Sequence, residues 1–166
     1  MSRCIDVETG WQMRQQSQAR PASPRQRWLG TLARASLQEL KQAWAEHAGG
    51  ASYHFLRKPE VGLVMVRGRA GGTGQPFNLG EMTVTRCAVR LDNSPIVGFG
   101  YIGGRDPPRA ELVAAFDALL QVGERSAYLQ SNVIDPLVRR QHGRREAAAR
   151  KIAKTRVEFF TMVRGG

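Results

Sequence analysis

The sequence has few cysteines and few acidic residues, and it lacks any long apolar run. Its two cysteines, Cys4 and Cys87, lie far apart without a C-x-x-C motif or paired Cys/His spacing, which argues against a disulfide framework or a zinc-finger site. No segment approaches the roughly 20 apolar residues that a membrane span requires. The first residues also lack the apolar region of a secretory signal. We therefore expect a cytoplasmic protein with reduced thiols and no membrane segment.

The shortage of acidic residues leaves a strong positive charge. Lys and Arg number 25 against 14 Asp and Glu, giving a net charge of +11 and a sequence pI of about 11.0. Anions are the natural partners of such a surface. At 166 residues, the chain is long enough for one domain with a substantial core. We expect residues 1–24 to be a disordered polar extension that ends at the Pro21 to Pro24 punctuation, and residues 25–166 to form the domain.

The first half of the domain changes from helical to extended patterning. Apolar residues at helical spacing begin at Trp28, and a Ser36/Glu39 capping box follows, so two short helices or one bent helix should end at Gly49-Gly50. Beyond them we expect an antiparallel meander of about four or five strands, with Pro59 turning the chain between the first two. The predicted strands are Tyr53 to Arg57, Val61 to Arg69, Met82 to Leu91 and Ile96 to Ile102.

The second half of the domain is mainly helical. Pro107 and Pro108 suit a first helical turn, and the apolar stripe that follows should cover one face of the sheet. Residues 123 to 136 have no clean period, and Pro136 interrupts any helix there. Arg139 to Arg156 is predicted as a strongly basic helix. The fold class is therefore α+β, an antiparallel sheet with helices packed on one face.

A glycine-rich loop between two apolar strands is the first candidate site. Gly71, Gly72 and Gly74 permit turns that direct successive amides at one anion. The loop is not a P-loop, because no Gly-Lys-Ser/Thr follows it. Taken by itself, the loop is more simply interpreted as a flexible or bulged hairpin connection. The neighbouring Arg69, Arg86 and Arg90 favour phosphate binding, although arginines on an open sheet face are often solvated or paired with another protein.

The sequence predicts no catalytic centre in this chain. His47, His54 and His142 are scattered and have no carboxylate at ligand or relay spacing. Asp106 and Glu111 flank the start of a helix, where acids complement its dipole. We expect no catalytic residue, no metal and no cofactor in this chain.

Two segments near the end of the chain, one basic and one apolar, each have two interpretations. The Arg139 to Arg156 helix is compatible with a nucleic-acid-binding module, but no aromatic residues are interleaved with its arginines, so a solvated or protein-docking face is preferred. The closing Val157 to Arg164 segment, which contains FFTMVR, is either a last core strand or a docking strip that adds to another subunit's sheet.

Several separated motifs resemble a known family. GLVMVRGRAGGTG and GEMTVTRCAVRL within Val61 to Leu91, the later GYIGGRDPPRAELVAAFDALLQ, the opening RQRWLGTLARAS and the ending TRVEFFTMVRG occur in order. From about residue 25 to residue 165 the chain resembles the small G subunit of the bacterial carbon-phosphorus lyase core complex. The extension before Arg25 and the Arg-rich stretch around residues 138–154 depart from that family's pattern.

The resemblance implies a role in alkylphosphonate catabolism. In such complexes a phosphonate displaces the base of a nucleoside triphosphate at the ribose anomeric carbon, and the larger I subunit is thought to carry this chemistry. A separate iron-sulfur radical subunit later breaks the carbon-phosphorus bond. The partners implied are the I, H and J subunits, with the nucleoside triphosphate and the phosphonate bound through the assembly.

We accordingly expect an essential subunit that is non-catalytic or only contributory. Its glycine loop and arginines would shape a subunit interface or lie near the nucleotide phosphates, and we favour the interface. The candidate phosphate-binding residues are Arg69, Gly71, Gly72, Gly74, Arg86, Arg90 and Arg105. The candidate interface residues are Arg156, Phe159, Phe160, Met162, Val163 and Arg164.

Overall fold

The computed structural model describes residues 21–72 and 74–153. This part of the chain begins with helices α1, Pro24–Leu32, and α2, Leu37–His47. Each helix follows a serine whose side chain accepts a bond from the third helical amide. The side chain of that third residue accepts a bond from the main-chain amide of the serine, so both capping boxes are complete. Gly49 and Gly50 follow α2 and have left-handed φ angles of 57° and 70°. The helix therefore ends where the sequence predicts.

Three antiparallel strands follow, in the order β1-β2-β3. They are β1, Tyr53–Arg69, β2, Pro76–Leu91, and β3, Val97–Gly103. The meander and the α+β class predicted from the sequence are confirmed, but the described residues contain three strands where four or five were expected.

The lower strand number results from the path of the chain through Pro59. Tyr53 to Arg57 and Val61 to Arg69 were predicted as separate strands, but they are the two ends of the single strand β1. The prediction that Pro59 turns the chain is therefore wrong. The register with β2 shifts twice between Phe55 and Glu60, and an edge strand with such bulges can accept proline, because the missing N–H is not needed for a regular ladder.

Three helices follow in the second half of the chain, and the first of them lies against one face of the sheet. They are α3, Pro107–Leu119, α4, Gly123–Leu129, and α5, Asp135–Ala153. A π-helical segment, Gln130–Ile134, joins α4 to α5, so regular α-helical bonding is interrupted just before Pro136. The wider π turn leaves room where a proline ring would otherwise meet the preceding turn.

The core fills the space between α3 and the covered face of the sheet. Cys87, Val89 and Ile102 project from the strands into it, and Phe116 projects from α3; all four are almost completely buried. Trp44 of α2 closes one side with its ring 5.3 Å from that of Phe116, in an edge-to-face arrangement. The predicted stripe of α3 thus covers the sheet as expected.

Two glycines of β3 set how closely α3 approaches the sheet. A Cβ atom on Gly98 would lie on the main-chain carbonyl oxygen of Ala114, and one on Gly100 would lie on that of Ala110. The backbones of β3 and α3 are therefore in direct contact, since no side chain larger than hydrogen fits between them.

Candidate functional site

The distal part of the β1–β2 hairpin extends beyond the rest of the sheet. Strand β3 pairs with β2 only from Val84 to Arg90, while β1 and β2 remain paired as far as Arg69 and Pro76. From Leu63 and Thr83 outward the hairpin therefore has two strands only. We call residues 61–72 and 74–82, which include the start of this projection at Val61, the arm. An isolated two-stranded ribbon is only marginally stable in water unless something packs against it.

Both faces of the arm expose large apolar side chains. Alternation along β1 places Val61, Leu63 and Met65 on one face. Phe77 and Met82 lie on the other face, opposite Gly68 and Val64. Leu63 is 64% exposed and Leu79 is 66% exposed. The apolar residues exposed on the arm are Val61, Leu63, Met65, Phe77, Leu79 and Met82.

The predicted glycine loop forms the tip of the arm. A single 3-10 turn spans Ala70–Gly72, in which Gly71 has a left-handed φ of 57°. The amide of Gly74 donates to the carbonyl oxygen of Ala70 at 2.9 Å, and a Cβ on Gly74 would lie only 2.7 Å from that oxygen. The Arg69 guanidinium donates to the carbonyl oxygen of Gly74 at 3.3 Å. Arg69 and Gly74 thus make contacts that shape a tight turn, and Gly71 supplies its left-handed conformation.

Arg86 lies on the open face of the sheet, which α3 does not cover. Its Nε atom donates to a Glu60 carboxylate oxygen at 2.5 Å, and Arg57 lies 3.4 Å from the same oxygen. This hydrogen bond to the Glu60 carboxylate raises the pKa of Arg86 above its usual value. Beside these residues is an open groove of about 450 Å³ whose apolar lining includes Phe99 and Tyr101. Two guanidinium groups share one carboxylate there, so the local charge stays positive.

The predicted phosphate-binding residues fall into separate groups. Arg69, Gly71, Gly72 and Gly74 lie at the tip of the arm, whereas Arg86 and Arg90 lie near the base of the hairpin, opposite Tyr101 and Val97. Arg69 pairs with Pro76, and ten residues of strand between Pro76 and Arg86 correspond to about 33 Å. Arg105 follows β3, where Gly104 bonds to Thr83. One copy of the chain therefore does not gather all of these residues at one phosphate group.

The predicted tail interface lies outside the described residues, which end at residue 153. Arg156, Phe159, Phe160, Met162, Val163 and Arg164 remain predicted interface residues. The basic segment before them is described as part of α5, and two of its arginines contact α2. Arg144 and Arg140 lie 3.1 Å and 3.7 Å from the same Glu39 oxygen.

A buried acid that the sequence reasoning missed joins the layers of the fold. Asp117 of α3 has no exposed side-chain surface and accepts two bonds from Arg25 of α1, at 3.1 Å and 2.6 Å. It also accepts from the Trp28 indole at 2.9 Å and from the main-chain amide of Phe99 at 2.9 Å. The sequence contains one signal for this network, since Asp117 lies inside an otherwise apolar helical stripe. An acid that is buried in such a stripe has to be paired.

Other acids at the start of α3 also have structural partners. Asp106 accepts a bond from the amide of Arg109 and so caps the helix, in keeping with the predicted helix-terminal role. Glu111 accepts a bond from the Tyr53 hydroxyl at 2.8 Å. Burial, followed by the nearby Glu111 charge, raises the pKa of the Cys87 thiol to about 11. This thiol therefore stays protonated, and unreactive as a nucleophile, at neutral pH.

The described residues contain neither a metal-ligand cluster nor a membrane-spanning helix. Over residues 21–72 and 74–153, no three or more His, Cys, Asp or Glu side chains are grouped so that they could hold a metal ion. None of the helices in that same part of the chain is both long enough and apolar enough to cross a membrane.

An α+β domain that combines a buried polar network with an exposed apolar arm has the features of a subunit that packs against other chains. A model of the phosphonate metabolism protein PhnG family matches residues 23–165. A protein of Rhizobium meliloti (strain 1021), named alpha-D-ribose 1-methylphosphonate 5-triphosphate synthase subunit PhnG, is 45% identical over 141 residues, covering 85% of this chain and 89% of that protein. The chain belongs to the PhnG family, as the motifs in its sequence indicate.

Proposed function

We propose that this protein is an essential subunit of an assembly that transfers a phosphonate onto the ribose anomeric carbon of a nucleoside triphosphate and releases the base. Its own part is non-catalytic or contributory. Membership of the PhnG family and the name of the Rhizobium meliloti relative support the reaction. The exposed arm supports the structural role.

The observation that carries this proposal is the apolar surface on both faces of the arm. Six large apolar side chains of the arm are 45–66% exposed in the described chain. Burying one such side chain completely contributes about 1.5–3 kcal/mol. Packing another subunit on each face would therefore stabilise both the arm and the assembly.

The partners we propose are the I, H and J subunits of the same cytoplasmic complex. The nucleoside triphosphate and the phosphonate bind through the assembly, with the I subunit carrying the transfer. Since substrate and product are polyanions, the net charge of +11 favours their approach to the complex. No cofactor is assigned to this chain.

The docking role is tested by making the arm polar. A protein carrying Leu63→Ser and Leu79→Ser loses one large apolar group from each of two strands of the arm. Co-expressed with the other subunits, it should be recovered with them in much lower yield. Val138→Ser is the matched control, because Val138 is a 45% exposed apolar residue on α5, away from the arm. Normal recovery of the double variant would contradict the docking role.

A second test concerns the tail. Phe159→Ala combined with Phe160→Ala should reduce co-purification with the I subunit, because aromatic side chains are frequent anchors of protein interfaces. The matched control is Tyr128→Ala, because Tyr128 is a 50% exposed aromatic residue of α4, outside the arm and the open sheet face. Normal yield of the tail variant would show that these two phenylalanines do not dock the subunit.

A direct phosphate contact is tested by Arg86→Ala in the assembled complex. Because Arg86 is already bonded to Glu60, we favour an interface role and expect nucleoside triphosphate titration to give an affinity within about twofold of the unaltered complex. Arg90→Ala provides the comparison on the same sheet face. A loss of about tenfold or more for Arg86→Ala alone would place this arginine at the phosphates.

The alternative function is nucleic-acid binding by α5. One observation favours it: Arg139, Arg145, Arg150 and Lys151 have no ion-pair partner among the described residues. This function predicts DNA or RNA binding by the isolated protein that weakens steeply as salt increases. Absence of binding at low salt would eliminate it.

A further inference from the structure

The two edges of the sheet differ in how their main-chain groups are satisfied. On the β3 edge, the amide of Phe99 donates to Asp117 at 2.9 Å. The carbonyl oxygen of Val97 accepts from Gln121 at 2.9 Å and from Arg25 at 3.3 Å. The carbonyl oxygen of Gly103 accepts from Arg109 at 3.1 Å. Side chains from α1, from α3 and from Gln121 just after α3 thus occupy much of this edge, which protects it from pairing with another strand.

The β1 edge has an obstructed part and an open part. Around Lys58 and Pro59 the register with β2 shifts, and a charge, a proline and bulges are devices that prevent strand addition. From Val61 to Val66 the pairing is regular, residue for residue, with no proline. Among the described residues, β1 has β2 as its neighbour in the sheet and no strand on its other side.

Hydrogen-bond alternation identifies which amides lie on the open edge. The amide of Gly104, just after β3, donates to Thr83, so the main-chain groups of Thr83 point toward β3. Main-chain groups alternate along a strand, and those of Met82 and Val84 therefore point toward β1. Their partners, Val64 and Gly62, point back toward β2.

It follows that the N–H and C=O groups of Val61, Leu63 and Met65 point outward, away from β2. Outside the β1–β2 ladder, no hydrogen bond joins these groups to another residue in the part of the chain that the structure describes. These residues also carry exposed apolar side chains on one face of the arm. Main-chain donors and acceptors next to alternating apolar side chains are what an added strand requires.

We propose that the Val61 to Val66 edge accepts an extended strand from another protein of the assembly. The proposal rests on the proposed subunit role and specifies how the arm docks. The added strand has apolar residues at alternate positions and an acidic residue at the end nearest the arm tip. The acid is required because Arg67 and Arg69 follow this edge and form no ion pair with a carboxylate within residues 21–72 and 74–153.

A second copy of this chain fits the edge less well. Antiparallel self-pairing centred on Leu63 would place Arg69 opposite Arg57 of the second copy, and like charges directly opposite each other are unfavourable. Each copy also carries a net charge of +11. A partner strand with an acidic end avoids both sources of repulsion.

Residue-resolved hydrogen exchange tests the added strand directly. In the isolated chain the outward amides of Val61, Leu63 and Met65 should exchange fast. In the complex purified with its other subunits they should exchange at least about tenfold more slowly. The inward amides of Val64 and Val66 are the internal control. Equally fast exchange of the outward amides in the complex would overturn the proposal.

Matched substitutions at one position separate main-chain from side-chain docking. Leu63→Pro removes the outward N–H, which β1–β2 pairing does not use, whereas Leu63→Ala keeps it and removes most of the side chain. Recovery of the complex should fall about tenfold further for Leu63→Pro than for Leu63→Ala. Equal recovery of the two would overturn strand addition.

If proline disturbs the structure of the arm, the Val64 amide will exchange faster in the isolated Leu63→Pro protein. A second variant tests the proposal in that case. Arg67→Glu with Arg69→Glu leaves every main-chain donor in place and should lower recovery of the complex by about tenfold. Unchanged recovery would show that the partner strand has no acidic residue that pairs with Arg67 and Arg69.

The results of these experiments distinguish strand addition at the β1 edge from the proposed subunit role. If the variant with Leu63→Ser and Leu79→Ser assembles normally, the subunit role of the arm fails. If that variant fails to assemble but the outward amides stay unprotected in the unaltered complex, strand addition alone fails. Protection of the outward amides in the isolated chain that increases with its concentration would instead assign the edge to a second copy.

Discussion

The two halves of the β1–β2 hairpin have similar alternating sequences and opposite surroundings. Near its base, Thr85, Cys87 and Val89 face α3 and are almost completely buried. Along the arm, Leu63 and Met65 occupy the same face of the ribbon, yet they are exposed. The difference arises because β3 ends at Gly103, opposite Val84, and because α3 packs over the three-stranded part. Alternating apolar residues thus identify a face of the sheet that has to be buried, and along the arm a second chain can bury it.

The largest effect is expected where the base is packed most tightly. Gly98→Ala and Gly100→Ala would each place a Cβ on a main-chain oxygen of α3. The strand and helix would have to separate, so each substitution should lower the free energy of unfolding by about 3 kcal/mol. Denaturant unfolding measures this loss.

Gly103→Ala is the matched control in the same strand, because a Cβ on Gly103 has no atom of the described chain within 4 Å. Its cost should stay below about 1 kcal/mol. If Gly98→Ala cost no more than Gly103→Ala, the direct contact between β3 and α3 would be wrong.

The next effect tests the buried acid that joins helices and sheet. Asp117→Asn leaves Arg25 without its carboxylate and weakens the bond to Phe99. Breaking a fully buried pair costs about 3–5 kcal/mol, but Arg25 is 38% exposed, so a loss of about 2 kcal/mol is expected after discounting for solvent screening. Glu81→Gln, which changes an exposed acid on the arm, should change the free energy of unfolding by less than about 0.5 kcal/mol. Similar losses for the two would contradict the proposed difference between base and arm.

Local signals in the sequence predicted much of the base. The Ser36/Glu39 capping box, the Gly49-Gly50 helix end and the α3 stripe depend on neighbouring residues, and the structure confirms all three. The path through Pro59 was missed, because bulges depend on the register with β2.

The candidate site was less predictable for a related reason. Glycines and arginines between residues 69 and 90 looked like one phosphate site, but distance along a long hairpin separates the tip from the base. The Asp117 network brings together residues 92 positions apart in the chain, and no local pattern contains such pairings. Exposure of the arm depends on where β3 ends, which the alternation within β2 does not specify.

A smaller, pH-dependent effect is expected where α2 meets α5. Burial raises the pKa of Glu39, but hydrogen bonds from Ser36 and the charge of Arg144 outweigh burial and lower the pKa below its usual value. Because the folded pKa is lowered, this contribution to stability is present above the ordinary glutamate pKa of about 4.3 and is lost as the pH falls through the lowered value. Glu39→Gln should therefore cost about 1 kcal/mol at pH 7, including its capping bond, and less at pH 3.

Unfolding at pH 7 and at pH 3 measures this difference. Glu124→Gln is the control, since Glu124 is an exposed acid in the first turn of α4. A cost of Glu39→Gln that did not decrease with pH would show that the carboxylate charge contributes nothing at this contact.

The smallest effect on stability should come from the arm itself. Leu63→Ser removes a side chain that is 64% exposed, whereas Val89→Ser removes one that is 0% exposed. The free energy of unfolding should change by less than about 0.5 kcal/mol for Leu63→Ser and by about 3 kcal/mol for Val89→Ser. If the isolated protein lost comparable stability from both, the arm would already be covered within a single chain. If the free energy of unfolding does not depend on Leu63 but assembly requires the arm, these apolar residues act between chains.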